Sequence, residues 1–78
     1  VVFKGTANGS PDKVVYGYKS SYVLEGGAEE KQWPIEGVWN VKGTRIAKWY
    51  DGKTWYECYD ADDGDYYGWI KKSDLTLE

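Results

Sequence analysis

The sequence Lys48–Ile70, KWYDGKTWYECYDADDGDYYGWI, decides the fold because it combines a dense run of aromatic residues with two turn signals. The turn signals are Asp51-Gly52 and the acidic run Asp60–Asp65. Asp-Gly between two runs of strand-forming residues is typical of a β-hairpin. The stretch therefore predicts two successive hairpins with more rings than a small core can absorb. These aromatic residues are Trp49, Tyr50, Trp55, Tyr56, Tyr59, Tyr66, Tyr67 and Trp69.

A two-residue loop at Asp51-Gly52 predicts the register of the first hairpin. It places Lys48 opposite Trp55 and Ala47 opposite Tyr56, and opposed residues share a face of the sheet. The inward face then holds Ala47, Trp49, Tyr56 and Cys58, and the outward face holds Lys48, Tyr50, Lys53, Trp55, Glu57 and Tyr59. A bulge near Thr44–Ile46, or a longer turn, would move some of these side chains to the other face.

The same alternation in the last clear strand, Tyr66–Lys71, points Ile70 inward. Its outward residues are Tyr67, Trp69 and Lys71. Exposed rings stack on sugars, proline rings and extended peptides, and they can enclose a quaternary ammonium group. The alternative is that each ring simply supplies packing bulk to a small core. The candidate ligand-binding residues are Tyr50, Trp55, Tyr59, Tyr67 and Trp69.

The rest of the chain consists of predicted strands and loops. The strands are Val1–Ala7, Val14–Leu24 with a bend or bulge partway, Ile35–Val41, Thr44–Tyr50 and Lys53–Asp60. The loops are Asn8–Lys13, Glu25–Pro34 with at most one helical turn, and a tight turn at Lys72–Leu75. No segment has the length and 3.6-residue periodicity of a helix of several turns. Five or six short strands in a chain of this length predict a small all-β barrel or sandwich.

Composition limits the classes of function. A chain of 78 residues forms one domain, 1–78, which we expect to be excised from a larger protein because it begins with Val. Ten basic and thirteen acidic residues argue against nucleic acid as the partner. No apolar run approaches a membrane span. The chain has no His, and Cys58 is its one cysteine, which excludes an internal disulfide, a Cys-based zinc site and a Cys-His nucleophile. We expect a non-catalytic monomer with no metal or cofactor, and Cys58 as a small buried residue.

The acidic run Asp60–Asp65 has the composition of a calcium loop but not its spacing. Counted from Asp60, Gly64 is fifth rather than sixth, and the twelfth position is Lys71 rather than Glu. An Asp/Gly-rich turn between two strands is therefore the favoured interpretation. Its negative charge, beside Tyr59 and Tyr67, would favour a cationic ligand.

The segment from Gly43 to Leu75 resembles the bacterial SH3-like (SH3b) domains. The matching features are Gly43-Thr44-x-Ile46 at a strand entry, Trp55-Tyr56-x-Cys58 in place of W-x-x-V, and Gly68-Trp69-Ile70…Leu75 in place of G-W-[VI]…L. The resemblance implies an SH3-like barrel in which a short 3-10 turn after the last long strand delivers Leu75 to the core. The N-V-R-S segment of the family and the A-L-Y-D-Y signature of eukaryotic SH3 domains are absent, so recognition of Pro-rich peptides is not implied.

The resemblance also implies a location and a ligand. SH3b domains are typically accessory modules of secreted or cell-wall proteins, often beside peptidoglycan hydrolases, and bind wall peptides or glycans. By this resemblance the chain is extracellular or in the cell wall, with its outward rings on a wall ligand. Two alternatives stay open. A Tudor- or chromo-like barrel would use residues 48–59 as part of an aromatic cage for methylated lysine, aided by the acidic loop. A structural module would pack the rings on a neighbouring domain.

Overall fold

The computed structural model describes residues 1–49 and 51–78, so the predicted ligand residue Tyr50 lies outside the described residues. Within them the chain forms eight β-strands, one short α-helix and one 3-10 turn. The elements are β1 Phe3–Asn8, β2 Val15–Tyr18, α1 Ser20–Glu25, β3 Lys31–Ile35, β4 Val38–Gly43, β5 Ile46–Lys48, β6 Thr54–Asp60, β7 Tyr66–Lys71, the 3-10 turn Lys72–Asp74 and β8 Leu75–Leu77. The predicted all-β class, with a short 3-10 turn near the C-terminus, is confirmed, with eight strands in place of five or six.

The strands form one antiparallel sheet in the order β3-β2-β7-β6-β4-β1-β8, and β5 also pairs with β6. After the 3-10 turn, β8 returns beside β1, with Gly5 opposite Leu77. The concave face of the sheet surrounds a cluster of buried side chains that six strands supply, which we call the inner cluster. It contains Phe3, Ala7, Val15, Ile35, Val41, Tyr56, Cys58, Tyr67 and Ile70, with Leu75 and Leu77 packed against it.

The turn between β5 and β6 is longer than predicted. Trp49 N–H donates to the Lys53 carbonyl, and Gly52 N–H donates to the Trp49 carbonyl. Gly52 has φ 86, the left-handed conformation that closes a three-residue hairpin loop. The register consequently places Ala47 opposite Trp55. The predicted two-residue loop is therefore wrong, and its longer alternative holds. A displacement of one residue moves the side chains of β5 to the other face relative to β6. Ala47 and Trp49, which were predicted to point inward, therefore pack beside Trp55 on the outer side, whereas Tyr56 and Cys58 point inward as predicted.

A bulge in β7 changes the faces a second time. The register between β6 and β7 shifts between Cys58 and Tyr59, beside Gly68 with φ 102. The extra residue in β7 breaks the alternation, so that Tyr67 enters the inner cluster while Trp69 lies on the opposite face. Residues two apart in this strand therefore belong to different clusters.

The convex face of β6 and β7 is covered by α1, and it carries a second core, which we call the outer cluster. It contains Val23, Trp55 and Trp69, with Tyr18, Tyr22, Ala47 and Trp49 packed against them. Trp69 Nε1 donates to Ser20 Oγ at 2.9 Å, which ties the strand to the start of the helix. Gly26, with φ 68, ends the helix in a left-handed cap. The predicted strand Val14–Leu24 is thus a short strand followed by a helix.

Candidate functional site

The predicted binding residues are for the most part buried. Trp55, Tyr67 and Trp69 expose 2, 3 and 1% of their surface, so their predicted exposure to solvent is wrong. Tyr59 is half-buried, with its ring centroid 5.1 Å from that of Tyr66. The causes differ. The β7 bulge turns Tyr67 into the inner cluster, whereas Trp55 and Trp69 lie on the outward face, as predicted, and α1 covers that face. The rings of Trp55 and Trp69 therefore offer no stacking surface to a ligand.

Exposed rings lie instead in a cleft of about 440 Å³, which we call the aromatic–acidic cleft. Three parts of the chain meet there: β3, the first half of β4, and the β6–β7 turn with the start of β7. The lining residues are Trp33, Val38, Trp39, Asn40, Asp60, Asp62, Asp63, Asp65 and Tyr67. One side of the cleft is therefore aromatic and the other carries carboxylates.

Two tryptophans form the aromatic side. Trp33 and Trp39 expose 37 and 36% of their surface. Each ring centroid lies 5.6 Å from that of Tyr67, at interplanar angles of 45° and 46°. Tyr67 is buried between them and forms the base of the cleft. Contact with this base fixes the two indoles while leaving part of each in solvent.

The cleft is the open end of the barrel. Trp33 shares a face of β3 with the buried Ile35, and Trp39 shares a face of β4 with the buried Val41, because side chains alternate along a strand. The inner face thus continues beyond the inner cluster and emerges at one end. The predicted single strand Ile35–Val41 is in fact two strands separated at Glu36 and Gly37, which directs the two indoles from different strands to one place.

The β6–β7 turn forms the acidic side, and its carboxylates shape it. Asp60 Oδ1 accepts from the N–H groups of Asp62 at 2.8 Å and Asp63 at 3.0 Å. Asp63 Oδ1 accepts from Asp65 N–H at 2.9 Å. Gly64 takes the left-handed conformation with φ 80. The interpretation of Asp60–Asp65 as an Asp/Gly-rich turn between two strands is confirmed, since side-chain caps of this kind stabilise turns.

A hydrogen bond joins the two sides of the cleft. The Tyr67 hydroxyl donates to Asp60 Oδ2. This bond, together with the backbone N–H groups of Asp63 and Asp62, lowers the pKa of the Asp60 carboxyl. Burial of the ring, and then the bond to Asp60, raises the pKa of the Tyr67 hydroxyl. Asp60 therefore stays ionised, and Tyr67 stays protonated, over a wide range of pH.

The cleft carries uncompensated negative charge. Four aspartates line it, and no Lys or Arg is among its lining residues. The ion pairs found among residues 1–49 and 51–78 lie elsewhere: Lys19–Glu30, Arg45–Glu57 and Lys53–Asp51. In the same residues, no group of three or more His, Cys, Asp or Glu side chains is arranged to hold a metal ion. Exposed indoles beside unpaired carboxylates attract a positively charged group.

A second carboxylate, Glu57, is buried on the convex face, where its oxygens contact neighbouring side chains of the fold rather than a cleft. Its Oε1 lies 3.4 Å from Arg45 Nη1, and its Oε2 accepts from the Tyr66 hydroxyl at 2.8 Å. Burial and this hydrogen bond raise the pKa of Tyr66 to about 12. Cys58 is fully buried, as predicted, and burial raises the pKa of its thiol to about 12, which disfavours the reactive thiolate.

Trp33 and Trp39 were not among the predicted binding residues. Trp33 belongs to the segment Glu25–Pro34, which was predicted to be a loop, and Trp39 to the predicted strand Ile35–Val41. In that strand Trp39 alternates in step with Val41, and both lie on the inner face of β4. Alternation does not reveal that the barrel opens at this end, so nothing in the pattern separated an exposed Trp39 from a buried one.

The part of the chain that is described contains no helix with the length and apolar character needed to cross a membrane. Comparisons with protein-family models, with curated proteins and with solved structures found no match to this chain. The SH3b resemblance of residues 43–75 stays a prediction from the sequence.

Proposed function

We propose that the chain is a non-catalytic binding module of a bacterial secreted or cell-wall protein, and that the aromatic–acidic cleft holds a peptidoglycan peptide or glycan. The observation that carries this proposal is the pair of partly exposed indoles, Trp33 and Trp39, fixed on Tyr67 at the open end of the barrel. The wall context comes from the SH3b resemblance.

The cleft has the size and chemistry for a short segment of a polymer. Its volume of about 440 Å³ lies within the range of small-ligand sites. Flat rings bind extended peptides and sugar faces over a broad contact area. Asn40 and the aspartates of the turn add acceptors for ligand hydroxyl and amine groups. The aromatic side would supply contact area, and the acidic side would orient the ligand.

The test is sedimentation of the protein with purified cell walls. Wild type should bind, and Trp33→Ala and Trp39→Ala should each weaken binding by about tenfold, because tryptophan is enriched among the interface residues whose removal costs most. Leu24→Ala is a matched control, because Leu24 is an exposed apolar residue on α1, away from the cleft lining. Circular dichroism checks that each variant is folded. Wall binding that both tryptophan variants retain in full would reject the cleft as the site.

A methylated-lysine peptide is the second candidate ligand, and the carboxylates beside the indoles favour it. A cage for a trimethylammonium group needs rings on several sides of the cation. Trp33 and Trp39 both contact Tyr67, so the ligand would have to enter between the two indoles. Titration with a trimethyllysine peptide, followed by tryptophan fluorescence, tests this candidate. No change at millimolar peptide would remove it.

A further inference from the structure

We infer that the aromatic–acidic cleft selects a short peptide carrying a protonated amino group on a flexible side chain, in preference to a neutral glycan. This inference rests on the proposed function, because it takes the cleft to be the binding site. It adds the chemical class of the ligand and the residues that discriminate it. Trp33 and Trp39 would contact the aliphatic part and the cation, and Asp62 and Asp65 would hold the ammonium group.

The first argument is charge. Within the described residues, the carboxylates of Asp62 and Asp65 accept no hydrogen bond and join no ion pair, although both line the cleft. Cations of β3 and the segment before α1 are engaged elsewhere: Lys31 Nζ lies 4.3 Å from the ring centroid of Tyr16, and Lys19 pairs with Glu30 at 2.9 Å. The chain thus leaves the negative charge of its own cleft for a ligand to neutralise.

The second argument is the position of the rings. A cation gains most over the face of an indole, within about 6 Å of the ring centroid. Trp33 and Trp39 line the same cleft as the aspartates, and each is partly in solvent. An ammonium group on an alkyl chain can therefore meet a ring and a carboxylate at once, with its methylene groups against the indoles.

The third argument concerns the neutral competitor. A sugar can stack on Trp33 or Trp39, but it also covers carboxylates without neutralising them. Covering a charged group costs free energy unless an opposite charge or hydrogen bonds replace its water. Asp60 remains ionised at mildly acidic pH, because Tyr67 and two backbone N–H groups hold its carboxylate.

The experiment compares three probes by NMR titration of the tryptophan indole N–H resonances. The probes are a blocked tetrapeptide with one lysine, the same peptide with acetyl-lysine, and a neutral oligosaccharide of N-acetylglucosamine. The acetylated peptide keeps the length and loses the charge. We expect the lysine peptide to bind about tenfold more tightly than either neutral probe, and an increase in salt from about 0.05 to 0.5 M to weaken it several-fold.

The matched variants are the double change Asp62→Asn with Asp65→Asn, and Asp51→Asn as the control. Asp51 lies in the β5–β6 turn, at the other end of β6 from the acidic turn. The double variant should lose about fivefold or more in affinity for the lysine peptide, whereas Asp51→Asn should bind it as wild type does.

Equal binding of the lysine and acetyl-lysine peptides, or an unchanged affinity in the double variant, would overturn the choice of a cationic ligand. If a neutral probe still shifted the Trp33 and Trp39 resonances, the cleft would remain the site and only this inference would fall. If no probe shifted them and purified walls were not bound, both the inference and the proposed function would fall.

Discussion

Tyr67 connects the core to the cleft at the scale of a single residue. Its ring is buried in the inner cluster and contacts Trp33 and Trp39, while its hydroxyl donates to Asp60. One side chain therefore supports the indoles and holds the acidic turn against them. The same residue was predicted to touch a ligand directly, whereas the structure gives it a supporting position beneath the exposed rings.

Tyr67→Phe removes the hydrogen bond that does most to lower the pKa of Asp60. We expect that pKa to rise toward the ordinary value of about 4, measured by carboxyl ¹³C NMR titration. Because the folded-state pKa of Asp60 lies below its unfolded value, the ionised carboxylate stabilises the fold above the unfolded pKa. That stabilisation is lost as pH falls through the folded pKa. The free energy of unfolding of wild type should therefore fall more steeply in acid than that of the variant.

Tyr59→Phe is the control, since Tyr59 lies against Tyr66 and outside the cleft lining. It should leave the Asp60 titration unchanged. An Asp60 pKa that stays low in Tyr67→Phe would show that the backbone N–H groups of the turn are sufficient by themselves.

Residue-level reasoning from the sequence succeeded where a side chain had few options. Cys58 sits among apolar and aromatic neighbours in a strand, and it is buried as expected. The same reasoning failed for Trp55 and Trp69, which were predicted to be exposed, because burial of a tryptophan depends on what lies over the sheet. Here that cover is α1, which contributes Val23 to the outer cluster. A six-residue helix is too short to show a helical period, so its presence could not be inferred from the pattern.

At the scale of the element, the bulge in β7 decides which rings are buried on which face. Gly68 has φ 102, and a Cβ at this position would lie 2.7 Å from the Tyr18 carbonyl oxygen. Both the conformation and the close approach of β2 require glycine here. Gly64, in the neighbouring turn, has φ 80 but open space around it. A side chain at Gly64 would suffer only the strain of a left-handed backbone. A side chain at Gly68 would suffer that strain and also collide with the backbone of Tyr18.

We expect Gly64→Ala to lower the free energy of unfolding by about 1–2 kcal/mol, the cost of a left-handed conformation for a residue with a Cβ. Gly68→Ala adds a collision with the backbone of Tyr18, so it should cost at least about twice as much. Urea denaturation followed by circular dichroism measures both. Equal losses would mean that β2 shifts to accommodate the new methyl group.

We expect helix α1 to stabilise the fold by covering the outer cluster. Val23→Ala deletes two buried methyl groups between the helix and the strands, and we expect a loss of about 1–3 kcal/mol in the free energy of unfolding. The exposed neighbour Leu24 provides the control, and Leu24→Ala should stay within about 0.5 kcal/mol of wild type. Chemical denaturation monitored by tryptophan fluorescence checks both. A loss in Val23→Ala no greater than in Leu24→Ala would contradict a packing role for the helix.

The hairpins were predictable because Asp-Gly and an Asp-rich turn are strong local signals, but the loop length was not. Gly52 in the left-handed conformation closes either a two-residue or a three-residue loop, so Asp51-Gly52 is compatible with both registers. The choice depends on whether Ala47 and Trp49 are better buried in the outer cluster, beside α1, or in the inner cluster. That comparison involves parts of the chain distant in sequence, which local patterns do not contain.

For the whole molecule, the surplus of rings is explained by two cores on opposite faces of β6 and β7. The inner cluster lies within the barrel and the outer cluster under α1. A small chain that buries both faces of its central strands gains apolar contact that a one-sided sheet would lack. Large aromatic residues suit this arrangement because each covers a wide area.

The reactivity of the Cys58 thiol measures how readily the inner cluster opens to solvent. This residue is fully buried, and burial raises the pKa of its thiol from 9.0 to about 12. At pH 8 we expect native protein to react with a thiol-specific disulfide reagent at least about 100-fold more slowly than protein unfolded in urea, because each pKa unit lowers the thiolate fraction tenfold. Absorbance of the released thiol gives both rates. Reaction at the unfolded rate would show that the core opens freely.

The pairing of β1 with β8 has a consequence for synthesis of the chain. Gly5 lies opposite Leu77, so β1 finds this neighbour only after β8, nearly a whole domain later in the chain, has been made. Until then the inner cluster lacks Leu75 and Leu77, and one edge of β1 is unpaired. Joining segments so distant in sequence costs chain entropy before any contact is gained. The strand β8 therefore joins the sheet late, in a step that must follow translation of residue 77.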